Sequence, residues 1–257
     1  MKEPNLQDLL KAGVHFGHRK SRWNPNMAEY IYTTRDGIHV IDLQKTAAKL
    51  REALLFSEET IKKGGNIVFV GTKRQAKDIV KKAAENCGMP YVNERWLGGT
   101  FTNFSEIKKQ IKKLLDYREQ QESGDLEKYT KKERLVIEEE IEKLEKKFGG
   151  LVDLKRLPDA VLIVDVPSEQ NAFDEAKRRG VTVIALADTN VNPKGIDYPV
   201  PSNDDAIKSI ECILNSFSET IKEAIVKRKK EADKESAKAA KKSADEADAK
   251  KDKKAVK

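Results

Sequence analysis

The chain is short of cysteine, of aromatic residues and of long apolar runs. Only Cys87 and Cys212 occur in 257 residues, far apart. That excludes a disulfide framework and a cysteine-based zinc set, and makes a reducing cytosol the default compartment. Runs such as AVLIV and VIALA are strand-sized rather than membrane-spanning. The opening MKEPNLQDLLKAG has no apolar signal core, so no membrane partner is expected. Catalytic signatures are missing too. There is no G-x-S-x-G, H-E-x-x-H or C-x-x-C, and the three histidines have no obvious nucleophile beside them. An enzyme is not expected, and neither is a cofactor.

Charge is what the chain has in quantity, at 36% of residues and a net +7. The surplus is uneven. Residues 227–257 hold 13 Lys/Arg against 7 Asp/Glu, and the other 226 residues hold 37 against 36. The body therefore has little net field, and any polyanion must be met by local clusters.

A first helix is expected over NLQDLLKAGV, then a polar loop HFGHRKSRWNPNM, then a hairpin YIYTTRDGIHVIDL turning at Arg35-Asp36-Gly37. Apolar stripes predict helices over 45–63 and after the strand NIVFV. PYVNE reads as a further short strand. From Phe104 the pattern changes. Phe104, Ile107, Ile111 and Leu114, then Ile137, Ile141, Leu144 and Phe148, recur at steps of three and four among charged residues. Such narrow seams predict an antiparallel coiled-coil hairpin. It carries 14 basic and 13 acidic residues over 101–157, a mixed surface that suits a protein neighbour. Alternation resumes with DAVLIVD, a cap at Pro167-Ser168 before a helix EQNAFDEAKRR, the strands VTVIALAD and YPVP, and a long last helix capped by Ser202. Continuous apolar strands alternating with helices predict an α/β fold with a mainly parallel sheet and helices on both faces. The expected division is 1–100 and 158–226 as two parts of one α/β domain, 101–157 as an inserted hairpin, and 227–257 as a disordered Lys/Ala-rich tail.

The segment NIVFVGTKRQAKDIV places cations where phosphate cradles form. Five residues separate Gly65 from Gly71-Thr72-Lys73, however, so P-loop spacing fails, and G-x-G-x-x-G is absent. A helix start with Lys73, Arg74 and Lys77 is left, either an anion site or simply solvated. A flavodoxin-like nucleotide-binding enzyme is the alternative reading. The stronger signal lies between Asp8 and Glu29, where there is no acid but there are Lys11, His15, His18, Arg19, Lys20 and Arg22. Trp23 stands next to them, either packed on a sheet edge or presented with the cations to a nucleic-acid backbone. In NERWLGGTFTNF, Arg95 reads as a phosphate contact and Gly98-Gly99 as a chain reversal. Asp165, Asp188, Asp204 and Asp205 could join His15 and His18 around a metal. No compact ligand spacing supports one, and capping and turn formation account for these residues.

The motifs LLKAGVHFGHRKSRWNPNM, IDLQKT, FVGTKRQA, NERWLGGTFTNF, LPDAVLIVD, ADTN and PSNDDAIKSI follow one another in that order. Together they resemble the bacterial family of small-subunit ribosomal protein number two (the uS-two family), over about Asn5 to Ile225. The resemblance implies a flavodoxin-like α/β domain with a protruding coiled-coil hairpin. It also implies small-subunit rRNA as a partner, neighbouring ribosomal proteins including the OB-fold mRNA-binding protein, and a cytoplasmic location. The family's basic loop falls on Arg19, Lys20 and Arg22, its post-strand cations on Lys73 and Arg74, and its Arg-Trp pair on Arg95 and Trp96. The expected rRNA contacts are therefore Lys11, His18, Arg19, Lys20, Arg22, Trp23, Lys73, Arg74, Lys77, Arg95 and Trp96.

Overall fold

A computed structural model describes residues 4–230. In chain order the elements are α1 (Leu6–Lys11), β1 (Phe16–Arg19), β2 (Ile31–Arg35), β3 (Ile38–Ile41), α2 (Leu43–Lys62), β4 (Ile67–Val70), α3 (Lys77–Cys87), β5 (Tyr91–Val92), α4 (Phe104–Glu122), α5 (Lys131–Phe148), β6 (Ala160–Val164), α6 (Gln170–Arg179), β7 (Thr182–Ala187), β8 (Tyr198–Pro201) and α7 over 207–230.

The apolar runs form one five-stranded sheet in the order β5-β4-β6-β7-β8. Every pairing is parallel, with Ile67 opposite Ala160, Val161 opposite Val183 and Ile184 opposite Tyr198. All residues of β4 and β6 are buried, as expected of strands covered on both faces. The order is the one flavodoxin-like sheets adopt. Side chains alternate between two cores. Ile67, Phe69, Leu162, Val164, Ile184 and Leu186 pack against α1, α2, α3 and α7. Val68, Val70, Val161, Ile163, Val183 and Ala185 pack against α6, Trp96, Phe101 and buried residues of α4 and α5. Each fully buried aliphatic chain contributes about 1.5–3 kcal/mol. Between α4 and α5, Lys113 pairs with Glu140, and Arg118 Nη2 lies 2.6 Å from Glu145 Oε1.

A second, antiparallel sheet has the order β1-β3-β2. The β2–β3 turn is Asp36-Gly37, both at positive φ (49° and 75°), the two-residue geometry that hairpins favour. The segment expected as a polar loop from His15 thus begins as a strand. Pairing with β3 supplies its backbone hydrogen bonds although it lacks apolar alternation.

Three local expectations are corrected. Lys73 and Arg74 lie in the turn before α3, which begins at Lys77. α6 has no side-chain cap, because the Ser168 hydroxyl donates to Asp165 Oδ2 instead (2.8 Å). Before α7 it is Asn203 that closes the turn, its Oδ1 accepting from the N–H groups of Asp205 and Ala206 (2.8 and 3.0 Å). The Ser202 hydroxyl turns back to the Val200 carbonyl. Residues 227–230 of the expected tail are the last described turn of α7, and 231–257 lie outside the described residues.

Candidate nucleic-acid interface

The carboxyl edge of the parallel sheet brings together the loops after β4, β6, β7 and β8. The small sheet lies across this edge. Its grip is mostly backbone chemistry. His18 N–H donates to Thr189 Oγ1 (2.8 Å), Asn24 N–H to the Thr189 carbonyl (2.7 Å), and Asn203 N–H to the Val14 carbonyl (3.1 Å). Gly17 makes the approach possible. A Cβ there would lie 2.6 Å from Thr189 Cγ2 and 3.2 Å from the His39 carbonyl.

On this platform Arg19, Lys20 and Arg22 are exposed, and none forms an ion pair among the described residues. Arg19 and Arg22 flank a cavity of about 470 Å³ that is also lined by Gly17, His18, Ser21, Ile38 and Asp205. Trp23 is 37% exposed and packs on the His39 ring with centroids 5.2 Å apart, so it is partly supported and partly presented. Lys11, Arg74 and Arg95 are exposed as well.

The remaining expected contacts are placed differently. Lys73 turns inward, with Nζ 3.1 Å from Asp165 Oδ2, 3.0 Å from Asp204 Oδ1 and 2.6 Å from Asp205 Oδ1. Burial opposes its charge, but the three carboxylates outweigh that and raise its pKa. Its ammonium is already neutralised and is not offered to an RNA backbone. Lys77 pairs with Glu94 (2.7 Å). Trp96 is buried, with Nε1–H donating to Glu175 Oε1 (3.2 Å) and its ring edge-on to Phe101. It belongs to the core.

His18 also faces inward. Its Nδ1 lies 3.1 Å from Asp188 Oδ2 and its Nε2 3.5 Å from Asp205 Oδ2. The hydrogen bond to Asp188 raises its pKa against the opposing effect of burial. One ligand atom each from His18, Asp188 and Asp204 lie within 4.8 Å of one another, and Asp204 Oδ2 is buried without a hydrogen-bond partner. An imidazole and two carboxylates are a donor set suited to a divalent cation. Sequence spacing offers no hint of it, because the ligands come from β1 and from the loops after β7 and β8.

Burial, reinforced by Asp188 and Asp165, pushes the Asp204 pKa up to about 7 from 3.8. A carboxyl whose folded pKa is raised contributes stability below its unfolded pKa and loses it as pH rises through the folded value. His18, also raised, acts in the same direction. The Asp204 contribution is therefore lost as pH rises from about 4 to about 7, with the His18 contribution lost above its ordinary value of 6.5, and Asp204→Asn should flatten the fall of the denaturant midpoint below about pH 7. An equal fall in the variant would locate the proton elsewhere.

The β4–α3 junction is poorly suited to a nucleotide. Thr72 N–H already donates to Glu169 Oε1 (2.7 Å), and Lys73 is caged. Asp165, Glu169 and Asp204 make the surroundings acidic. A Cβ at Gly71 would stand 2.9 Å from Val80 Cγ2, so this glycine serves helix-on-strand packing.

Residues 9–224 match the family described as Ribosomal protein S2. The chain belongs to this family. It is 47% identical over 219 residues to "Small ribosomal subunit protein uS2" of Francisella tularensis subsp. novicida (strain U112), covering 85% of this chain and 92% of the relative. The proteins of the same name from subsp. tularensis (strain WY96-3418) and subsp. holarctica (strain OSU18) match with the same identity and coverage. Within this S2 family fold, the residue that sequence reasoning missed most completely is Glu175. Its side chain gathers the 96–102 loop by accepting from Gly99 N–H (2.7 Å), Phe101 N–H (2.9 Å) and Thr102 N–H (3.0 Å). The available signal was an acid on the same helical stripe as Ala172 and Ala176.

Proposed function

We propose that the protein is a structural constituent of the small ribosomal subunit. It binds rRNA through the exposed cations of its N-terminal loop and supports translation by docking neighbouring subunit proteins. The observation that carries this reading is the set of cations Arg19, Lys20 and Arg22, exposed and without an ion pair among the described residues, on a platform tied to the sheet edge in a chain of the S2 family. Such a set gives affinity for phosphate without base readout. The role is architectural and needs no catalytic step.

Residues 1–100 and 158–226 act in this reading as one α/β domain, with 101–157 inserted as an antiparallel coiled-coil hairpin. Its near-balanced charge and the exposed Leu135 and Val136 suit a protein neighbour. The partners proposed are small-subunit rRNA and adjoining ribosomal proteins, among them the OB-fold mRNA-binding protein of the subunit. Their shared location is the cytoplasm. No helix among the described residues is long and apolar enough to cross a membrane.

Sedimentation of the full chain with purified small subunits tests the assignment. Co-migration at low salt and release at high salt are expected. Protein left at the top of the gradient at low salt would refute it.

A further inference from the structure

The carboxyl edge holds the loop described above. The opposite, amino edge is where the chain enters β4, β6 and β7, and Asp159 ties the three together. Its N–H donates to the Asn66 carbonyl (3.0 Å), and its own carbonyl accepts from Thr182 N–H (3.2 Å). α2 and α6 both end at this edge. So does the last described turn of α7, because Arg228 Nη1 donates to the Ile61 carbonyl (3.2 Å) and Lys227 pairs with Glu58 (3.0 Å). Arg156 reaches the same place from the chain before β6, donating to the Gly64 carbonyl (3.2 Å).

Composition assigns a surplus of six positive charges to residues 227–257. Four of the six lie in Lys227-Arg228-Lys229-Lys230, which is helix packed on the body. The charge is therefore delivered to a defined surface. Cations at helix C-termini are ordinary complements to the helix dipole. That accounts for Arg228 on the α2 carbonyl and for Lys62 and Lys63, which already pair with Glu58 and Glu59. It also covers Arg178 and Arg179 in the last turn of α6, but these two stand with Lys155, Lys229 and Lys230 in being exposed and having no ion pair among the described residues.

We propose that this amino edge is a second RNA-binding surface. It would hold a phosphate track distinct from the one met by Arg19, Lys20 and Arg22, so that the protein bridges two RNA segments. The inference rests on the reading of the chain as an rRNA-binding protein. The chemistry favours a polyanion over a protein. Over segments 62–64, 155–159, 178–180 and 226–230 the one large apolar side chain exposed is Val226, less than the apolar centre around which protein interfaces are built. The free groups mix two guanidinium forks with three flexible ammonium groups, a combination that grips phosphates without reading sequence.

The test uses the full chain and purified small-subunit rRNA, comparing K155Q/R178Q/R179Q/K229Q with R19Q/K20Q/R22Q. The edge variant, which removes four cations, is expected to flatten the log K against log[salt] slope by about three to four. It should lose hydroxyl-radical protection in an RNA segment that the loop variant still protects. Should the fourfold change lower the thermal midpoint, Lys229→Gln alone should still remove about one unit of slope. A parent-like slope and footprint in the edge variants, beside a weakened loop variant, overturns the second surface and leaves the proposed function standing. Loss of protection in the same segment for both variants also overturns it. A parent chain that does not bind the rRNA at all refutes both.

Discussion

Replacing Glu175 by alanine is expected to destabilise the protein by about 3–5 kcal/mol, the range for removing one partner of a buried charged network. Its carboxylate is 6% exposed and takes five hydrogen bonds, from Trp96 Nε1, the N–H groups of Gly99, Phe101 and Thr102, and the Thr102 hydroxyl. All five donors lie in the turn that carries the chain from β5 to α4, where Gly99 adopts a φ of 95°. Without the acid these donors face a cavity, each at a cost of about 1–3 kcal/mol unless water enters. Glutamine is expected to recover part of the loss, since its amide retains one acceptor oxygen while its NH₂ opposes the donors facing it. Burial works against the ionised form, but the loop N–H bonds prevail and lower the Glu175 pKa. A depressed carboxylate contributes stability above its unfolded pKa and loses it as pH falls through the folded value. The penalty of Glu175→Ala should therefore shrink in acid. Urea denaturation at about pH 7 and about pH 4, followed through tryptophan fluorescence, measures both effects. A loss below about 1 kcal/mol at neutral pH would show that the loop holds its shape without the carboxylate.

Neutralising Arg19, Lys20 and Arg22 together is expected to leave the fold intact and to weaken rRNA binding by about two orders of magnitude near 0.1 M salt. Each phosphate neutralised contributes about 0.7–0.9 to the slope of log K against log[salt]. Removing three cations therefore lowers the slope by about two to three, and over the tenfold range from about 1 M to about 0.1 M salt that is a factor of at least about 100. The thermal midpoint should hardly move, because the three side chains are exposed and make no ion pair among the described residues. Filter binding across a salt series measures the slope. An unchanged slope would remove the loop from the interface. Lys73→Gln is the instructive contrast. Sequence groups it with these cations, but its ammonium answers Asp165, Asp204 and Asp205. Its loss should appear as instability with little change in slope.

The two cation groups look alike in the sequence because both follow glycine and sit among polar residues. What separates them is direction. Arg19, Lys20 and Arg22 stay exposed at the end of β1 and in the turn after it, whereas Lys73 meets acids from the loops after β6 and β8. The Trp residues divide in the same way. Trp23 lies across His39 and stays partly exposed, while Trp96 is drawn inward by an acid 79 positions away. An aromatic beside an arginine is therefore a weak guide to an RNA contact.

Local pattern was enough for the parallel sheet, the helices on both faces and the Asp36-Gly37 turn. Apolar period, capping residues and turn residues act over a few positions, and their energies are decided within the segment. The family could also be read from ordered motifs. Which charges remain free was a different kind of question. Lys73 meets Asp204 across 131 positions, and Thr72 meets Glu169 across 97. No propensity carries that information. Those pairs exist because parallel crossovers bring every strand's carboxyl end to one edge and every amino end to the other. There burial makes an unmatched charge costly, and only tertiary neighbours decide which charges are matched.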